Sequence, residues 1–153
     1  MYVFLKIKKT DLRFPNSKTA PPEIYKMIFN IALVGSANVG KTRMLWNTGV
    51  IGDDARSPRT SFTYVPTVGV EVRPYFLEGN SVNFWDSAGT PKFMGHNFAD
   101  TMKKCDIMMI LHEGEPDESY IDMANSIGMP YVVVHRDAIQ NQQQLNAFIR
   151  TIV

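Results

Sequence analysis

The run Gly35-Ser36-Ala37-Asn38-Val39-Gly40-Lys41-Thr42 constrains this chain more than any other. It follows the apolar segment Met27-Ile28-Phe29-Asn30-Ile31-Ala32-Leu33-Val34 and precedes Arg43-Met44-Leu45-Trp46, which can continue as a helix. A G-x-x-x-x-G-K-[ST] pattern between a strand and a helix predicts a backbone cradle for phosphate. Glycine lets the backbone turn tightly, so successive N–H groups face one concavity suited to phosphate oxygens. The positive end of the following helix adds to the same spot. In this reading Gly35, Ser36, Ala37, Asn38, Val39, Gly40 and Lys41 form the cradle. Lys41 neutralises the β- and γ-phosphates, and the Thr42 hydroxyl holds Mg²⁺. An ordinary glycine-containing strand-to-helix turn is the competing account, and it leaves the Lys-Thr pair unexplained.

The rest of the chain can be laid out around that cradle. Tyr2 to Lys9 places Val3, Leu5 and Ile7 on one side and Lys6 and Lys8 on the other, which predicts a strand with a wet face. Its lysines suit a solvated edge that blocks unwanted pairing, or a patch for a partner. Pro15-Asn16-Ser17 and Pro21-Pro22 then break the chain into a loop. A core strand is expected from Ile24 to Val34, and a short helix from Thr42 to Gly49. Asp53 to Pro66 is polar and reads as a long mobile loop. Thr67 to Phe76 alternates, Glu78-Gly79-Asn80-Ser81 supplies a turn, and Val82-Asn83-Phe84-Trp85 returns as the second strand of a hairpin. Asp86 to Pro91 is expected as a loop and Phe98 to Lys104 as a short helix. Asp106 to Leu111 and Tyr131 to Val134 read as buried strands; Glu118 to Ile127 and Gln140 to Ile152 read as helices. Strands alternating with helices predict a doubly wound, mostly parallel α/β sheet with one antiparallel edge hairpin. A ligand belongs at the carboxyl ends of the parallel strands, where the Gly-rich run falls.

Composition excludes several function classes. With 153 residues, 44% hydrophobic and 20% charged, the chain suits a single globular domain with a proper core. A net charge of +1 gives no electrostatic case for nucleic acid. Cys105 is the only cysteine, so no internal disulfide forms and a reducing compartment is expected. No apolar run reaches the ~18 residues of a membrane span. The N-terminus lacks a signal-peptide core, and the C-terminus offers no cysteine to prenylate. The expectation is a soluble, intracellular, monomeric protein of the cytoplasm and/or nucleus, without a membrane anchor.

Two further elements make the cradle more specific than "nucleotide". Thr67 stands at the junction of the polar loop and a strand, where its hydroxyl can complete a Mg²⁺ shell and its backbone can read a γ-phosphate. Asp86 ends an apolar strand and is followed three residues later by Gly89. A carboxylate there can bind Mg²⁺, directly or through water, as a Walker-B aspartate does. Gly89 can bring its N–H against the γ-phosphate with no side chain intervening. Each alone is a common strand start or turn; in this order behind a phosphate cradle they point to function.

Gly35–Thr42, Tyr64-Val65-Pro66-Thr67-Val68-Gly69-Val70-Glu71-Val72 and Trp85-Asp86-Ser87-Ala88-Gly89-Thr90 together resemble a Ras-superfamily small GTPase. Gly69-Val70-Glu71-Val72-Arg73-Pro74 and Lys92-Phe93-Met94-Gly95 are most similar to the Ran branch around its switch regions. The resemblance is strong from Met27 to Leu111 and weak beyond. It implies a three-layer P-loop NTPase fold binding GTP or GDP with Mg²⁺, with Lys41, Thr67 and Gly89 at the γ-phosphate and Thr42, Thr67 and Asp86 around the metal. Asp53 to Thr67 would be switch one and Gly89 to Phe98 switch two, ordered by the γ-phosphate and released on hydrolysis. Ran-type effectors or regulators would read these switches.

The departures from that pattern are specific. Thr90 stands where the family usually has the glutamine that orients the attacking water, so slow hydrolysis is expected. Pro91 stiffens the loop, and His96 is near enough in sequence to substitute, although a surface histidine is the plainer reading. Val134-His135-Arg136-Asp137 aligns with the guanine-reading Asn-Lys-x-Asp. Asp137 is either the carboxylate that accepts from guanine N1 and N2 or the N-cap of the last helix. The usual Asn amide is lost, which leaves His135 or Arg136 to stack on the base. The Ser-Ala-Lys loop of the family is also missing. Three readings follow: a minimal, slow Ran-like GTPase; a pseudo-GTPase binding module that keeps the Ran-like switch surface; or a P-loop NTPase or kinase relaxed in base choice. The intact Lys41, Thr42, Thr67 and Asp86 favour the first.

Overall fold

The computed structural model describes residues 27–51, 69–87, 89 and 98–153. The expected strand Tyr2–Lys9, the loop Asp53–Pro66 and residues Thr67, Thr90, Pro91 and His96 lie outside them. Strand alternation sets the layers. In β1 (Ile28–Val34), Phe29, Ile31 and Leu33 join one apolar cluster, while Ala32 and Val34 join another. Residues two apart on a strand share a face, so each cluster covers one side of the sheet. The first cluster takes Met44 and Leu45 from α1 (Lys41–Asn47) and Leu145, Ile149 and Ile152 from α4 (Gln142–Ile152). The second takes Phe98 and Met102 from α2 (Phe98–Met102) and Tyr120 and Ala124 from α3 (Glu118–Ser126).

The sheet order is β2 (Val70–Leu77), β3 (Asn80–Ser87), β1, β4 (Ile107–His112), β5 (Tyr131–His135). β3, β1, β4 and β5 run parallel, and β2 pairs antiparallel with β3. This is an α/β chain with a five-stranded, mostly parallel sheet and one antiparallel pair. β1 lies at its centre, between β3 and β4, so the chain winds outward from β1 in both directions. A crevice opens outside the carboxyl ends of the strands at such a reversal. Asn30 is the one polar residue in the interior-bound run. Its Oδ1 accepts from Asn83 Nδ2 and Trp85 Nε1, each at 3.1 Å, and its backbone N–H donates to Asp106 Oδ2 at 2.7 Å.

Several boundaries differ from the sequence expectation. The hairpin closes in two residues, because Glu78 and Gly79 both take left-handed backbone angles (φ 52° and 81°). Asn80 and Ser81 therefore belong to β3 and not to the turn. At its other end β3 runs on through Asp86 and Ser87, which pair with β2 (Asp86 also with Leu33 of β1), while Ser87 Oγ donates to the Leu33 carbonyl at 2.8 Å. Across the sheet, α4 reaches this hairpin. Arg150 Nε and Nη2 both donate to Glu78 Oε1 (2.8 and 2.7 Å), and Tyr75 Oη donates to Asn146 Oδ1 at 2.5 Å. Among the described residues no helix is long and apolar enough to cross a membrane.

Candidate functional site

The carboxyl ends of β1, β3, β4 and β5 gather around Gly35–Thr42. The loop leaves β1 directly into α1, whose N-cap is Gly40 with no side-chain cap. Gly35 leaves no room for a side chain: an added Cβ would lie 2.5 Å from the Leu111 carbonyl oxygen of β4. The first glycine thus seats the loop against the neighbouring strand. Lys41 folds back over this turn, donating from Nζ to the carbonyls of Gly35 (2.8 Å) and Ser36 (3.0 Å), and is only 6% exposed.

Asp86 arrives from β3, which is paired to β1, and is fully buried. Its Oδ2 accepts from Thr42 Oγ1 at 2.7 Å. Its Oδ1 is buried without a hydrogen-bond partner. A buried, unsatisfied carboxylate oxygen costs free energy unless something binds it. Burial pushes the Asp86 carboxyl above its usual range, helped by the charge of Glu71; the Thr42 hydroxyl and the charges of Lys41 and Arg73 pull the other way. Burial likewise lowers Lys41 to about 8, against the pull of Asp86. Both charges are held at a cost that a ligand phosphate and cation would offset.

The sign of the resulting pH dependence follows. The folded Asp86 carboxyl holds its proton more tightly than the unfolded one, so its stabilising contribution is complete below 3.8 and is lost as pH rises through the raised folded value. The Lys41 penalty is present below about 8 and is relieved as pH rises toward 10.5. Urea unfolding of the ligand-free protein across the acid range is therefore expected to show a falling component that Asp86→Asn removes. Identical slopes for the two proteins would contradict this.

Gly89 approaches the loop from beyond β3. An added Cβ there would lie 2.6 Å from both N and Cα of Ala37 and 2.8 Å from Lys41 Nζ. Asp137 comes from the other side, in the 3₁₀ turn Arg136–Ala138 after β5. A cleft of about 290 Å³ joins it to the loop, lined by Asn38, Val39, Gly40, Arg43, Asp137 and Gln140 among others. The N-cap of α4 is Asn141, whose Oδ1 accepts from Gln144 N–H at 2.9 Å, so Asp137 does not cap that helix. Its carboxylate is half exposed, 3.6 Å from Arg136 Nε. His135 Nδ1 accepts from the Asp137 N–H at 3.2 Å and lies 3.8 Å from the Asp137 carboxylate. Of the two stacking candidates, Arg136 lines the cleft and pairs with Glu113 at 2.9 Å, whereas His135 packs edge-on against His112.

The structure thus brings Gly35–Thr42, Asp86, Gly89 and Asp137 together; Thr67 lies outside the described residues. Four contributors carry no motif in the sequence. Arg43 and Gln140 line the cleft but belong to no motif. Tyr120 and Asp117 of the α3 turn touch the loop at Gly35 and Ser36. A tyrosine at a core-facing helical position was the available signal, since a buried hydroxyl needs a partner. Among the described residues no group of three or more His, Cys, Asp or Glu could hold a metal ion. A Mg²⁺ site completed by phosphate oxygens and water needs no such group. No protein-family model matches the chain, and no curated protein matches it.

Proposed function

We propose that the chain is a small-GTPase-like switch with a P-loop NTPase fold, binding GTP or GDP with Mg²⁺ and hydrolysing GTP slowly. One observation carries the reading: Lys41, Gly89 and the Thr42–Asp86 pair converge on one glycine-seated loop, from which a cleft leads to Asp137. Lys41 supplies the phosphate cation, and Gly89 a backbone contact bare of side chain. Asp137 is the carboxylate placed to accept from guanine N–H groups. Thr42 Oγ1 and the unpartnered Asp86 Oδ1 are hard oxygen donors that suit Mg²⁺. Bound there, the ion would neutralise charge on the β- and γ-phosphate oxygens.

Purified protein titrated with GTP, GDP and ATP, with and without Mg²⁺, tests this. Tighter binding of the guanine nucleotides in Mg²⁺ is expected, and no binding of any nucleotide would sink the proposal. Thr90→Gln is expected to raise single-turnover phosphate release several-fold, because glutamine can reach the attacking water. An unaltered rate would show that this side chain is not what limits turnover. The close approach of Gly89 to Ala37 also favours a second reading, a pseudo-GTPase binding module that keeps the Ran-like switch surface with little or no hydrolysis. The same titration separates the two.

A further inference from the structure

Helix α3 grips the phosphate loop from outside the set of motifs. Tyr120 is 4% exposed, and its hydroxyl donates to the Gly35 carbonyl at 3.3 Å. The same oxygen accepts from Lys41 Nζ at 2.8 Å. A carbonyl oxygen has two lone pairs, so these two donors saturate it. Asp117, the N-cap of α3, is held by Ser119 N–H and Oγ (3.0 and 2.6 Å) and accepts from Ser36 Oγ at 3.5 Å. Gly35 is pressed from behind by the Leu111 carbonyl. The first peptide of the loop is therefore clamped between a strand and a helix, and Lys41 draws its own position from that clamped carbonyl.

We propose that Tyr120 is a positioning residue for the anion site: its hydroxyl fixes the Gly35 carbonyl on which the Lys41 ammonium rests. The inference rests on the phosphate-binding reading of the loop. Phenylalanine would fill the same place in the core with no buried hydroxyl to satisfy, so packing of the ring alone does not call for tyrosine here. The hydroxyl contributes where it points, at the carbonyl that Lys41 shares. Without it the carbonyl is free to tilt, and the ammonium loses its fixed reference relative to the loop N–H groups.

Tyr120→Phe keeps the ring and deletes the contact. GDP is expected to dissociate about five- to tenfold faster from this variant, the effect of one buried hydrogen bond. In the ligand-free protein the amides of Ser36 to Gly40 are expected to exchange with solvent faster than in the wild type. Met123→Ala, in the same helix but away from the loop, should lower the melting temperature while leaving GDP dissociation at the wild-type rate. If the wild type binds GDP and Tyr120→Phe leaves either its dissociation or the loop exchange unaltered, the positioning role is overturned. If the wild type binds no nucleotide, the functional proposal fails and loop exchange alone decides: faster exchange sustains the role of Tyr120, and unaltered exchange overturns it.

Discussion

Lys41→Ala is expected to lower affinity for GTP and GDP by at least about 100-fold, the loss seen when one partner of a buried charged contact is truncated. Lys41 is buried, its ammonium spans two loop carbonyls, and its pKa is lowered to about 8 by desolvation. A cation held in that state interacts strongly with an arriving phosphate, because little water remains to screen it. The fold should tolerate the change. Position 41 opens α1, where alanine is the best helix former, and removing a desolvated charge lifts a cost from the ligand-free state. The signature is thus a protein whose melting temperature is kept while calorimetric titration shows no nucleotide heat. Wild-type affinity in the variant would refute the cradle.

Gly89→Ala is expected to separate the two nucleotides. Its methyl carbon would stand 2.6 Å from two backbone atoms of Ala37, which cannot give way as the end of a flexible side chain could, and 2.8 Å from Lys41 Nζ. Gly89 must then move off the loop. On the proposed reading the Gly89 N–H bonds only the γ-phosphate, so GTP affinity should fall by about 10- to 100-fold, the range for a hydrogen bond to a charged group. GDP should lose less than about threefold. The measurement is a pair of competition titrations in Mg²⁺. Equal losses for both nucleotides would remove Gly89 from the γ-phosphate and leave it a packing position.

The strands are legible because apolar residues repeat with period two and glycines punctuate them, and the strand-to-helix turn at Gly35–Thr42 is legible from its glycines. What the sequence hid were matters of pairing. Asp86 and Ser87 look like turn residues, yet both pair with β2 and Asp86 also with β1, and that extension of β3 is what buries the Asp86 carboxylate. Glu78 gives no sign of a left-handed backbone, so the two-residue turn was read as four. The sequence offers Asp137 as a cap for the last helix, a role the structure gives to Asn141. Tyr120 stands at the spacing of a core-facing helical residue, which accounts for its ring and not for its hydroxyl. Side-chain partners distant in sequence leave no periodicity behind them.

The attachment of α4 to the β2–β3 hairpin bears on the order in which the molecule can be made. Glu78 and Arg150 are 72 positions apart, and Tyr75 and Asn146 are 71 apart. During synthesis the hairpin and β1 leave the ribosome long before the helix that covers Phe84 and Leu33 on their shared face. Until α4 emerges, that side of the sheet has only α1 over it, and its remaining apolar side chains form the kind of nascent surface that aggregates or recruits chaperones. Helix α4 thus acts as a latch between the first-made hairpin and the rest of the sheet.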